Sequence, residues 1–239
     1  MYNLKFDAAH DVFRRFKQQH PDDPMGPVSD AAAYLFYAFD RLQILRSDFF
    51  TQDGNFTEAK KLTLDPQVKQ RFEAELDRSK QLSDAVLRKS PDDTKALLAS
   101  VLRIALHADF EALIEKRNSQ ALGEIKEARQ EAGKLLAVCP NCYDANLAIG
   151  VENYLLSQKS APIRWFLRLT GAETDKTLGI EKLRIVAEKG TYLKPYARVL
   201  LAIAYLRDGN APEARRLLAE LAREFPQNDL FKSELKKLS

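Results

Sequence analysis

The sequence predicts an all-α protein, an α-solenoid built from antiparallel helix pairs. Three observations carry that prediction. Stretches with a 3.6-residue apolar period fill most of the 239 residues. Four of them end at a proline followed by polar residues, at Pro21, Pro91, Pro140 and Pro226, and proline cannot continue a helix because it lacks the donor and clashes with the preceding turn. Nine glycines and ten prolines are too few for a turn-rich β protein.

The chain reads as one helical domain over 1–239. A lone helix at 4–19 comes first, with Ala9, Phe13 and Phe16 in register ahead of Pro21. A helix pair is expected at about 27–90, interrupted by an irregular stretch in which Phe49, Phe50 and Phe56 anchor a loop to the core. Asp48 and Asp53 in that stretch lack the spacing of a calcium loop. A second pair is expected at 94–139, where Ala128, Ala132 and Leu135 precede Pro140 at the same distances as Ala214, Leu218 and Leu221 precede Pro226. Pro140 and Pro226 lie 86 residues apart against 49 for Pro91 and Pro140, so two units fill the longer interval. The first of these, at 143–190, closes without proline and carries an insert at 157–173. The last pair, at 195–225, is the clearest. Val199, Leu200, Ala202, Ile203 and Leu206 form one apolar stripe, Asp208-Gly209-Asn210 breaks it, and Pro212 opens the next helix. A short closing helix is expected at 229–238.

That last pair resembles the tetratricopeptide repeat, whose pattern runs W-x2-L-G-x2-Y, then A-x3-F, then P over about 34 residues. Here it reads Leu201-Ala202-x2-Tyr205, Ala214-x3-Leu218 and Pro226, departing at Arg198, Ala202 and Leu218. In the unit before, Ile149-Gly150 stand at the Leu-Gly position. The chain thus looks like a divergent member with lengthened repeats. The resemblance implies a right-handed superhelix whose first helices line a concave surface where peptide partners lie. By register that surface comprises Leu147, Ala148, Val151 and Tyr154 in one unit and Val199, Leu200, Ile203 and Arg207 in the next. The Lys, Asn and Arg clamp that some members use on a partner's terminal carboxylate is missing there. The positions are apolar, so either the insert fills the groove or the partner docks through an apolar helix or strand.

The insert carries the only tryptophan. Ile163, Trp165, Phe166, Leu167 and Leu169 cover a short helix, with Arg164 and Arg168 on one face. It reads as a lid packed back on the solenoid, or else as a partner-binding or membrane-surface wedge. Tyr154, Trp165 and Tyr205 are the aromatic anchors of a partner interface.

Charge excludes several classes. The net charge is +3, and acids are interleaved with the bases, so nucleic acid is not implied. No apolar run spans a bilayer. Cys139-Pro140-Asn141-Cys142 has the spacing of a disulfide staple, a redox pair or half a zinc site. No second cysteine pair completes a zinc site, and His10, His20 and His107 are far apart, so two cysteines in an inter-helix turn is the favoured reading. No catalytic residue, metal or cofactor is expected. The first residues lack the order of a signal peptide, yet a lone second-type helix argues for a natural chain extending upstream of Met1, with room for a leader. The compartment stays open between cytoplasm and export. The expected function is a non-catalytic scaffold or adaptor binding a polypeptide on a curved helical surface. The alternatives are an exported bacterial envelope protein assisting assembly or secretion, and a CxxC redox or metal protein.

Overall fold

The computed structural model of the chain describes residues 1–51, 61–158 and 174–238. Arg164, Trp165 and Arg168, the remainder of the insert from residue 159, and Phe56 lie outside the described residues. Within them the protein is all helical, 78% helix without strands.

The α-helices are α1 (Phe6–Gln19), α2 (Met25–Arg41), α3 (Ser47–Thr51), α4 (Pro66–Leu87), α5 (Thr94–Phe110), α6 (Asn118–Val138), α7 (Asn146–Ser157), α8 (Lys176–Lys189), α9 (Lys194–Arg207), α10 (Ala211–Glu224) and α11 (Asp229–Lys237). A π-turn at Glu111–Glu115 joins α5 to α6, and a 3-10 turn at Tyr143–Ala145 precedes α7. The helices pack largely in chain order, α1 on α2, α2 on α4, α4 on α5 and so on to α10 on α11, and α2 also lies against α5.

The starts and stops follow from side-chain chemistry. The carboxylates of Asp65, Asp93 and Asp175 accept from the backbone N–H groups of Gln67, Ala96 and Leu178, which no helical carbonyl can serve. Asn210 and Asn228 do the same for Glu213 and Leu230. Between α9 and α10, Asn210 N–H donates to Tyr205 O at 2.8 Å and Gly209 N–H to Leu206 O at 3.1 Å. That double bond pattern needs a left-handed residue, and Gly209 supplies it at φ 73°.

The four prolines share one hydrogen-bonded turn. The residue before each proline donates back to the fourth preceding carbonyl: His20 to Phe16, Ser90 to Val86, Cys139 to Leu135 and Phe225 to Leu221, all within 2.8–2.9 Å. The second residue after each proline then donates to the residue before it: Asp23 to His20, Asp93 to Ser90, Cys142 to Cys139 and Asn228 to Phe225, at 3.0–3.2 Å. A recurrent turn therefore reverses the chain four times.

Apolar burial follows this order in separate clusters. One cluster holds Leu35, Phe39, Phe72, Leu76, Phe110 and Ile114, the next Leu97, Val101, Ala132 and Leu135, and the last Leu183, Leu201, Leu217, Leu218 and Leu221. α7 and α8 approach closely: a β-carbon on Gly179 would lie 2.6 Å from the backbone nitrogen of Tyr154, and one on Gly150 would lie 3.1 Å from the carbonyl of Gly179. At the start of the chain, Asp30 of α2, only 4% exposed, accepts from His10 Nδ1 at 2.5 Å and from Lys17 Nζ at 2.6 Å, and Lys17 also reaches Glu75 of α4.

The two ends of the order meet. The Tyr2 ring stands 5.3 Å from Phe225, and its hydroxyl donates to Tyr192 O at 3.2 Å. Gln227 N–H donates to Asn3 Oδ1 at 3.2 Å, and Asn228 Nδ2 donates to Tyr2 O at 2.8 Å. The short α3 lies on α9, and Asp48 pairs with Lys237 of α11 at 2.8 Å. The row of helices is closed upon itself.

Candidate functional site

The face read from the sequence as partner-binding lies on α7 and α9. Leu147 and Tyr154 are buried, at 7% and 6% exposure. Leu147 sits in the same cluster as Leu183 and Leu201, with Val151 and Val199 packed against it. The Tyr154 hydroxyl reaches the Ala204 carbonyl of α9 at 3.5 Å. Burial raises its pKa to about 12. Val199 and Ile203 line a small cavity of about 30 Å³ with Leu45, Leu206, Leu230 and Phe231. The Arg207 guanidinium donates to the Phe50 carbonyl of α3. Further along α9, the Phe36 ring of α2 meets Tyr196 edge-on at 5.3 Å, and the Tyr196 hydroxyl donates to Asp109 Oδ2 of α5 at 3.5 Å. The closing segments of the same chain therefore lie across this face.

A larger concavity opens elsewhere. Between α8, α9 and α10 lies a cleft of about 470 Å³, floored by Ala187, Leu201, Tyr205 and Leu217. Three guanidinium groups edge it. Arg184 donates from Nε and Nη2 to the Tyr205 hydroxyl at 3.0 and 2.8 Å. Arg198 pairs with Glu224 at 2.6 Å, and Arg216 pairs with Glu213 at 3.0 Å and Glu220 at 2.7 Å. Glu213 and Glu220 hold the Arg216 charge and raise its pKa further. Among the described residues no carboxylate pairs with Arg184, and Tyr205 is buried at 8% exposure. Such a wall offers a planar cation and a phenol above an apolar floor, groups that recur where proteins anchor partners. Tyr205, named from the sequence as an expected anchor, lines this cleft. The arginines resemble an ordinary solvated face in sequence, and only the packing of three helices gathers them.

Cys139 and Cys142 occupy the two hydrogen-bonding positions of the third proline turn, with sulfurs 2.12 Å and α-carbons 5.4 Å apart. His20 with Asp23, Ser90 with Asp93 and Phe225 with Asn228 stand at those positions in the other turns. Cys142 stands where the other turns carry Asp or Asn, and α7, which follows a 3-10 turn, has no side-chain cap. Asp144 points instead to the α8–α9 connection, where its carboxylate accepts from Thr191 and Leu193 N–H at 3.0 and 2.9 Å and from Tyr192. Among the described residues, no group of three His, Cys, Asp or Glu side chains is placed to hold a metal ion, and no helix is long and apolar enough to cross a membrane.

No protein-family model and no curated protein matches the chain.

Proposed function

We propose that the protein is a non-catalytic scaffold of the tetratricopeptide-repeat kind, an α-solenoid that binds a polypeptide partner on a curved helical surface. The observation that carries this reading is the cleft between α8, α9 and α10. It is open, floored by apolar side chains and edged by Arg184 and Tyr205. The recurrent proline turn supports the repeat architecture, because one bonding scheme recurs at four chain reversals, as repeated units would produce. The α7–α9 face, with Leu147, Val151, Tyr154, Val199, Ile203 and Arg207, is the second surface of this reading.

A photo-crosslinking amino acid at position 184, compared with one at the exposed Arg78 of α4, tests the proposal in cells. Specific adducts from position 184, absent from position 78 and lost in an Arg184→Glu background with crosslinkers at neighbouring cleft positions, support it. Equal adducts from both sites, or adducts indifferent to the substitution, overturn it.

A second reading, an exported envelope protein, is favoured by one observation. The Cys139 and Cys142 sulfurs are at bonding distance, and such bonds persist in oxidising compartments. Thiol counting on protein drawn directly from its source separates the two: two free thiols argue for a reducing compartment and none for export.

A further inference from the structure

We infer that the cleft between α8, α9 and α10 takes one side-chain carboxylate of its polypeptide partner, an Asp or Glu set beside apolar residues, on the Arg184–Tyr205 pair. This rests on the reading of that cleft as a partner surface and names what the partner must present there. The pair is all donor. Arg184 spends one edge of its guanidinium on the phenol, Nε and Nη2 donating to the Tyr205 hydroxyl at 3.0 and 2.8 Å. The cation stands 5.9 Å from the centre of the same ring. The free end of the fork, Nη1 and the second Nη2 hydrogen, donates to nothing among the described residues. Tyr205 is more than nine-tenths buried, at 8% exposure, and its oxygen accepts both of those bonds. Its own hydrogen therefore needs an acceptor, and none of the described residues supplies one.

A buried hydroxyl hydrogen without an acceptor is costly. A carboxylate is acceptor only, with two oxygens, and so can serve the end of the fork and the phenol hydrogen together through charge-assisted bonds. The remaining charges decide how much negative charge the cleft takes. Arg216 is used on both edges, by Glu213 and by Glu220, and Arg198 holds Glu224. Arg184 is thus the cleft arginine without a carboxylate among the described residues. Glu188, one turn beyond it on α8, lines the same cleft as Glu213 and Glu220, and the three together repel a dense run of acids. One carboxylate suits that balance; an acidic tract or a phosphate dianion does not. The floor of Ala187, Leu201 and Leu217 receives the apolar neighbours of the acid.

The test selects peptides on the full chain from a random dodecamer library displayed on filamentous phage. Displayed peptides are joined through their C-terminal ends, so any acid recovered is a side chain. The library is used as it stands and, in parallel, after depletion on Arg184→Gln. The depleted library is expected to yield peptides with one Asp or Glu beside apolar residues. In such a peptide, made with an amidated end, changing the acid to its amide should weaken binding at least about tenfold. Tyr205→Phe, which removes the phenol hydrogen and keeps the ring, should weaken the acid peptide about fivefold and the amide peptide hardly at all. Peptides from the depleted library that lack an acid, or that bind equally well as the amide, overturn the carboxylate assignment. So does phosphoserine in place of the acid, if it tightens binding by about tenfold or more. Binders from the undepleted library alone overturn the assignment and leave the scaffold reading in place on another surface. No binder from either library overturns both.

Discussion

Gly179 shows how much one β-carbon can matter. An alanine there would place its methyl carbon 2.6 Å from the Tyr154 backbone nitrogen, which cannot swing aside as a side chain can. α7 and α8 would have to separate, and Gly179→Ala should destabilise the protein by about 3 kcal/mol, read from urea unfolding. Gly123, with nothing within 4 Å of its added β-carbon, is the control and should tolerate alanine. Asp144 is the acceptor for three successive N–H groups, so Asp144→Ala should cost about 2 kcal/mol and raise amide exchange at residues 191–193. Asp30 gives the acid limb of stability. Burial alone would raise its pKa, but the hydrogen bonds from His10 and Lys17 outweigh burial and hold it below 3.8. A depressed carboxylate contributes stability above its unfolded value and loses it as pH falls through the folded one. Thermal midpoints should therefore fall below about pH 4, and Asp30→Asn should flatten that fall. None of these roles is visible in the sequence, where Gly179 is an isolated glycine and Asp30 one acid among many.

At the scale of the elements, the four prolines were the most legible signals, because proline acts through its own ring and missing donor whatever surrounds it. The caps at Asp93, Asn210 and Asn228 are just as local, each acting on neighbours two or three residues away, but the sequence shows only polar residues after the helix ends there. The π-turn at Glu111–Glu115 was not legible. It depends on Glu111, fully buried and gripped by Arg117, and on Lys116 in a left-handed conformation, an arrangement without local signature. The structure also changes the meaning of the CxxC spacing. Three other turns form the same backbone bonds without sulfur, and a bridge across so short a loop restricts the unfolded chain little. Reducing the pair, or replacing both cysteines with serine, should lower stability by no more than about 2 kcal/mol in urea melts.

For the whole molecule, the all-helical class followed from periodicity, but the closure did not, since nothing periodic ties Tyr2 to Phe225 or Phe36 to Tyr196. The cleft arginines were missed for a related reason: a charge on one helix looks solvated until two more helices stand beside it. An open array of repeats is nearly one-dimensional, and a change at one end is felt only by its neighbours. Here the ends touch, and Tyr2→Ala should raise amide exchange at residues 192–196 and 225–228, with little change in α6. Exchange that rises only in α1 would mean that the two ends behave independently.

The shared reversal makes four tetrapeptides equivalent by position: His20-Pro21-Asp22-Asp23, Ser90-Pro91-Asp92-Asp93, Cys139-Pro140-Asn141-Cys142 and Phe225-Pro226-Gln227-Asn228. They are spare parts for one another. Rewriting the third in the letters of the second yields a thiol-free background that folds alike in reducing and oxidising media, onto which a single dye or spin label can be placed at will.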